Sequence, residues 1–416
     1  MTMTAHPAPS FTVNDRTYRL PDHPVVVICI DGCASEYLDA ALVRGIMPNL
    51  GRMAVEGYRG MCRGALPSFT NTNNASIITG APPAVHGIAG NFFLDPETGE
   101  EVMMNDARFL RAESLLAAAS QAGRKVAVAT SKNKLLSMLS RGVTGITFSA
   151  EKAGETSLEE NGIEDVEALV GEPAPSIYSA DASLFVLKAG SALVETGEAD
   201  FLYLSLTDFI QHKHPPEDPQ ALDFHAGIDR ELGRMLAAGA AIGITADHGM
   251  NAKQNRDGSP NVIFLEQELQ SLFGSAARVI LPITDPYVRH HGSLGSFAMI
   301  HLAHGTDPKP IAKWLTDRQG ITEVHERATA VSRLELPEDR IGDLCVLSAR
   351  DVVLGKRPED HDLQEVATGL RSHGGRYEEM VPFVLSVPLT GDYVQRAYGD
   401  LRNFDIFEFT VNCGND

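Results

Sequence analysis

The chain lacks any apolar run near the roughly 20 residues that a membrane-spanning helix needs. Its first stretch, MTMTAHPAPSFTVNDRTYRL, lacks a basic region followed by an apolar one. Neither a membrane span nor a secretory signal is expected. Cysteine is sparse: Cys29, Cys33, Cys62, Cys345 and Cys413 are an odd number with no close CxxC pair. That usage predicts reduced thiols and a cytoplasmic location. Positive charge is also short, with 35 Lys and Arg against 55 Asp and Glu and a formal net charge of -20. Such a surface argues against nucleic acid or an anionic membrane as partner. There is one tryptophan, and no clear aromatic slot for stacking a base. A small anionic substrate stays open, because local charge in a cleft can oppose the sign of the whole surface.

What is present is an alternation of short apolar runs and helical patterns. VVVICI precedes EYLDAALVRGIMPNLGRMAVEG; KVAVATS follows ESLLAAASQAG; FLYLSLT precedes DFHAGIDRELGRMLAAG; AIGITADHG follows. This spacing predicts an α/β fold, a mixed and mostly parallel sheet between helices. With 416 residues the chain is long enough for one large domain and an accessory one. Between His248 and His373 the pattern changes to shorter alternating strands and turns. The expectation is a smaller α+β cap domain inserted at 253–368, with 1–252 and 369–416 forming the catalytic core.

Residues suited to metal binding follow these apolar runs. Asp31 follows VVVICI, Asp208 follows FLYLSLT with His212 four residues on, and Asp247-His248 follows AIGITA; His373 stands before VPFVLSV. Ligands gather beyond the carboxyl ends of parallel strands. Asp208 and His212 are one helical turn apart and can converge on one ion if the segment is helical. Three carboxylates and three imidazoles without a thiolate suit two divalent cations, zinc or a similar first-row ion. Two dications among three carboxylates leave about +1, which welcomes an anion. Thr70 opens a segment that looks helical over 70–79. Taken alone, Thr70 or Ser68 is better explained as the cap of that helix; beside a metal set the order reverses and Thr70 becomes a candidate nucleophile. Lys132 and Lys134, in TSKNKLL, could hold a second anionic group, and Arg289, His290 and His291 could reach down from the insertion.

The ordered series Asp31-Gly32, Thr70, Asn91, Asp208-x-x-x-His212, Asp247-His248-Gly249 and His373 resembles the alkaline phosphatase superfamily. Within it the chain is similar to the branch of nucleotide pyrophosphatase/phosphodiesterases and phosphonoacetate hydrolases. The stretches LPSFTNTNNASIITGAPPAVHGIAGNFF, LTDFIQHKHPP and ITADHGMNAK resemble the hydrolases more than the diesterases. The resemblance implies an alkaline-phosphatase-like fold and two Zn2+ ions. Asp208, His212 and His373 would hold one ion, and Asp31, Thr70, Asp247 and His248 the other. Asn91 and the backbone N–H of Asn71 would meet the phosphoryl oxygens, and Lys132 and Lys134 the substrate carboxylate. The activity implied is cleavage of the carbon–phosphorus bond of phosphonoacetate through a phosphothreonine. A phosphodiester or phosphonate monoester hydrolase is the alternative, and a catalytically silent zinc-stabilised binding protein the rival of another class. The partner expected is a small anionic phosphonate; a homodimer is left open.

Overall fold

The apolar runs become the centre of a seven-stranded sheet. The computed structural model describes residues 9–285, 292–364, 366–367 and 369–414. In chain order the strands are β1 (Val25–Cys29), β2 (Tyr58–Arg63), β3 (Val126–Thr130), β4 (Gly145–Ser149), β5 (Phe201–Ser205), β6 (Ala241–Thr245) and β7 (Met380–Leu385). They lie side by side as β2-β7-β6-β1-β5-β3-β4. β6, β1, β5, β3 and β4 are mutually parallel. β7 runs antiparallel to β6, and β2 antiparallel to β7. Every residue of β1, β3, β5 and β6 is buried. Helices on both faces demand this, which is why these strands read as continuous apolar runs rather than alternating ones.

Two consequences of this topology place the site. Parallel β1, β5 and β6 end at one edge, so the residues that follow them gather there. β7 is antiparallel, with Phe383 opposite Thr245, so its beginning lies at that same edge and the segment before it arrives there too. The helical stretch after β1 divides into Ser35–Val43 and Pro48–Glu56, parted by a turn in which Gly45 takes φ 67°. These helices and Asp181–Thr196 pack against Pro219–Ala237, while Ile406–Asn412 packs on β6 and β1.

The segment between His248 and His373 carries its own four-stranded antiparallel sheet, ordered Ala277–Ile280, Phe297–Leu302, Leu344–Ser348, Ile321–Glu326. It leaves and rejoins the core as neighbours, because Asn251–Ala252 pairs antiparallel with Arg371–Ser372. Among the described residues no helix is long and apolar enough to cross a membrane.

Candidate active site

The turn after β1 presents Asp31, and Gly32 behind it is forced to be glycine. Its φ is +69°, and a Cβ there would meet the Asp208 and Gln211 Cβ atoms at 3.1 and 3.2 Å. Asp208 stands at the head of the helix Phe209–Lys213, which turns His212 back beside it; His212 Nε2 is 2.9 Å from Asp208 Oδ2. Asp247 and His248 follow β6, and His248 Nε2 lies 3.2 Å from Asp31 Oδ1 and 3.8 Å from Asp247 Oδ2. His373 Nε2 is 4.0 Å from Asp208 Oδ2. All six side chains are buried. Two groups have ligand atoms within 4.8 Å of one another, Asp208 with His212 and His373, and Asp31 with Asp208 and His248. Asp208 thus stands between them.

The imidazoles show what this cluster suits. Each gives Nδ1 to a main-chain carbonyl: His212 to Arg371 O at 2.8 Å, His248 to Gly249 O at 2.9 Å, His373 to Ser68 O at 2.8 Å. A carbonyl only accepts, so Nδ1 carries the hydrogen and a neutral ring offers Nε2 as a lone pair. Those Nε2 atoms face carboxylate oxygens, an approach that needs a proton or a cation between the two. Without a metal the burden falls on protons. Burial, then Asp208 and Asp247, hold the Asp31 carboxyl well above the usual carboxylate range. His248 overcomes the downward pull of burial and is pushed up to about 10 by Asp247, Asp31 and Asp208. Burial and the His248 and His212 rings hold His373 well below its ordinary value. Oxygen and imidazole donors with oriented Nδ1–H groups fit a divalent first-row ion.

Thr70 is the first residue of the helix Thr70–Thr79. That helix has Phe69 as N-cap and no side-chain cap, and the Ser68 hydroxyl is spent on Gly375 O at 2.6 Å. The capping explanation for Thr70 therefore fails. Thr70 Oγ1 lies 3.4 Å from His248 Nε2, with the helix N-terminus behind it to favour an anion. The Asn71 N–H donates to Asn91 Oδ1 at 3.0 Å, which fixes the Asn91 amide and reserves its Nδ2 as the donor. Asn91 is held in turn by its own N–H on Pro282 O at 2.8 Å.

Sequence reasoning missed two supports. Asn74, one turn beyond Thr70, donates to Thr70 O and Asp247 Oδ2 at 3.0 and 3.3 Å and accepts from Tyr203 and Ser205 at 2.7 and 2.9 Å. It joins the Thr70 helix, β5 and the Asp247 carboxylate in one amide, and its i+4 spacing from Thr70 was the available signal. Asp285, from the inserted segment, is ion-paired with Lys134. No local pattern announces that pair.

Lys132 precedes the helix Asn133–Leu139, and its Nζ is 3.3 Å from Asp208 Oδ1. Burial opposes its charge, yet Asp208 and Asp31 raise it above its ordinary value. Burial and the neighbouring Lys132 ammonium push Lys134 down to about 7. The two lysines line a cavity of about 370 Å3 with Asn105, Glu151, Ile177 and Tyr178. Arg289, His290 and His291 lie outside the described residues.

Known proteins can be set beside this geometry. A solved structure of phosphonoacetate hydrolase from Sinorhizobium meliloti 1021, in complex with phosphonoformate, is 45% identical, with a TM-score of 0.93 over 98% of this chain and 99% of that one. The same enzyme in complex with phosphonoacetate gives 44%, a TM-score of 0.91 and the same coverage. Murine ectonucleotide pyrophosphatase / phosphodiesterase 5, with AMP, shares the fold at 16% identity and a TM-score of 0.61 over 94% of this chain and 96% of that one. An uncharacterized pyrophosphatase/phosphodiesterase of Schizosaccharomyces pombe is 38% identical over 78 residues, 18% of this chain and 15% of that relative's length. The type I phosphodiesterase / nucleotide pyrophosphatase family model matches residues 25–376. On that match, and on near-complete superposition with a relative at 45% identity, the chain belongs to the type I phosphodiesterase / nucleotide pyrophosphatase family, within the alkaline phosphatase superfamily.

Proposed function

We propose that this protein hydrolyses phosphonoacetate to phosphate and acetate with two zinc ions. The observation that carries the substrate assignment is the pair Lys132 and Lys134, two amino groups lining one cavity directly beside a buried Asp/His cluster, where a bound anion would favour the charged form of both. A phosphoryl group at the cluster leaves the other end of a short bifunctional anion against the lysines. The 44% identical structure with bound phosphonoacetate supports the same reading.

Asp208, His212 and His373 would hold one ion; Asp31, Thr70, Asp247 and His248 the other. When bound, such ions lower the pKa of hydroxyls and neutralise phosphoryl oxygens. Thr70 Oγ1, its hydroxyl proton given up to solvent, would form a bond to phosphorus as the P–C bond breaks, the electron pair of the P–C bond passing to the methylene carbon of acetate. Lys132 and Lys134 hold the carboxylate into which that charge delocalises, so their contribution grows toward the transition state. A proton from solvent completes acetate. Asn91 Nδ2 donates to the phosphoryl oxygens, and water then cleaves the Thr70 phosphoester to release phosphate. Residues 253–368 act as a cap that delivers Asp285 to Lys134, with Arg289 and His290 as further contacts to substrate. All five cysteines are buried and unbridged, which supports a reducing, cytoplasmic setting.

Phosphate release from phosphonoacetate, measured beside hydrolysis of an aryl phosphonate monoester and a nucleotide diester, tests this reading. A higher kcat/KM for phosphonoacetate is expected. Turnover of the diester with phosphonoacetate untouched would make the protein a phosphodiesterase instead.

A further inference from the structure

His248 and His373 come from segments far apart in sequence, yet their rings stack at 3.5 Å and within 4° of parallel. A buried ion pair lies where those two segments meet. Lys253 Nζ donates to Glu378 Oε1 at 2.8 Å and to Arg350 O at 2.7 Å, and both side chains are 0% exposed. Glu378 is saturated: Oε1 also accepts from Asn251 Nδ2 at 2.7 Å, Oε2 from the Gly375 N–H at 3.1 Å, and its main-chain oxygen from the Gly249 N–H at 2.7 Å. Gly249 directly follows His248, and Gly375 stands two residues after His373. Asn251 belongs to the two-residue strand that pairs with Arg371–Ser372, immediately before His373. One carboxylate therefore binds the loop of each histidine, and one ammonium ties that carboxylate to Arg350 of the inserted segment.

A buried ion pair is weak evidence of a contribution to fold stability. Desolvating two charges offsets most of their attraction, and uncharged side chains of similar volume commonly serve a core as well or better. A fixed, hydrogen-bonded charge pair does supply geometry: it allows the two loops one relative position.

We propose that Lys253 and Glu378 are positioning residues that set the spacing of the His248 and His373 loops and thereby the metal affinity of the site. This rests on the metal-dependent reading above, and neither residue touches substrate. The test is zinc affinity, measured by equilibration of purified full-length protein against graded chelator, with metal-free melting temperature recorded alongside. Lys253→Met/Glu378→Gln removes both charges and leaves no unpaired ion. Its metal-free melting temperature should stay close to that of the unaltered protein while zinc affinity falls about 10- to 100-fold, the usual effect of losing groups that orient ligands. Lys253→Arg keeps the charge and should bind zinc nearly as the unaltered protein does. Asn251→Ala, which removes one donor at the edge of the network, should weaken zinc in the same direction by less; it serves if the double variant does not fold. Unchanged zinc affinity in the folded double variant or in Asn251→Ala would overturn the proposal. Failure of the unaltered protein to bind zinc would remove the reading beneath it instead.

Discussion

Removing the Lys134 charge should damage one substrate and spare another. Its side chain is 19% exposed, next to Lys132 at 13%, so a carboxylate bound between them sits in a partly desolvated site. Losing a charge-assisted contact of that kind costs about 2–4 kcal/mol, or roughly 30- to 900-fold in kcat/KM. Lys134→Ala alone also breaks the ion pair with the buried Asp285 carboxylate, so Lys134→Ala/Asp285→Asn is the cleaner variant. An aryl phosphonate monoester has no carboxylate and a leaving group that needs no enolate stabilisation, and its kcat/KM should change little. Lys132→Ala should show the same preference superimposed on a loss common to both substrates, because its Nζ also touches Asp208. The assay is steady-state kcat/KM for both substrates with each variant. Equal losses in the double variant would mean that Lys134 supports the fold or the metals. Negligible losses for both would make it a solvated side chain.

Thr70→Ala should lose about 10³-fold or more in kcat, and Thr70→Ser should retain part of the activity because a hydroxyl remains; normal turnover by Thr70→Ala would end covalent catalysis at this position. Acid-quenched protein should carry one phosphate by intact mass in the unaltered chain and none in Thr70→Ala. Chelation should abolish turnover and zinc restore it, and full activity in demonstrably metal-free protein would contradict this. The metal-free protein should also lose stability as pH rises. Folded Asp31 and folded His248 each hold a proton that the unfolded chain has released, Asp31 above the ordinary carboxylate range and His248 up to about 10. Their contribution fades as pH climbs through those folded values, and His373, held low, works in the other direction only below neutrality. Lys134, pushed down to about 7, has released a proton that the unfolded chain still holds and so opposes this loss above that pH; the chelated protein should therefore melt lower between about pH 7 and about pH 8, where Asp31 and His248 together outweigh it, and zinc, which replaces the protons, should flatten the trend. A rising melting temperature across that window would refute it.

How much of this was legible in the sequence depends on which contacts are local. Asp31, Asp208 and Asp247 were readable because each follows a run buried on both faces, and parallel strands deliver such residues to one edge. His212 was readable from its spacing to Asp208 and the helix that the spacing implied. His373 follows no parallel strand; its place depends on β7 running antiparallel, which the run VPFVLSV does not reveal. Thr70 was ambiguous, since a helix-capping threonine and a nucleophile read alike in sequence; the structure places Phe69, not Thr70, at the cap position. Asp285 and the Lys253–Glu378 pair were not readable as supports, and of Asn74 only the i+4 spacing to Thr70 was readable, not its bonds to Asp247, Tyr203 and Ser205. Each acts through a partner brought near by tertiary folding, and neither periodicity nor composition encodes such a meeting.

The central claim is cleavage of a carbon–phosphorus bond, and phosphorus NMR of phosphonoacetate with the zinc-reconstituted protein in deuterium oxide tests it most directly. The phosphonate resonance should give way to inorganic phosphate, with an equal amount of acetate carrying one deuterium where carbon left phosphorus. A phosphonate resonance unchanged by protein that hydrolyses a phosphodiester under the same conditions would contradict it.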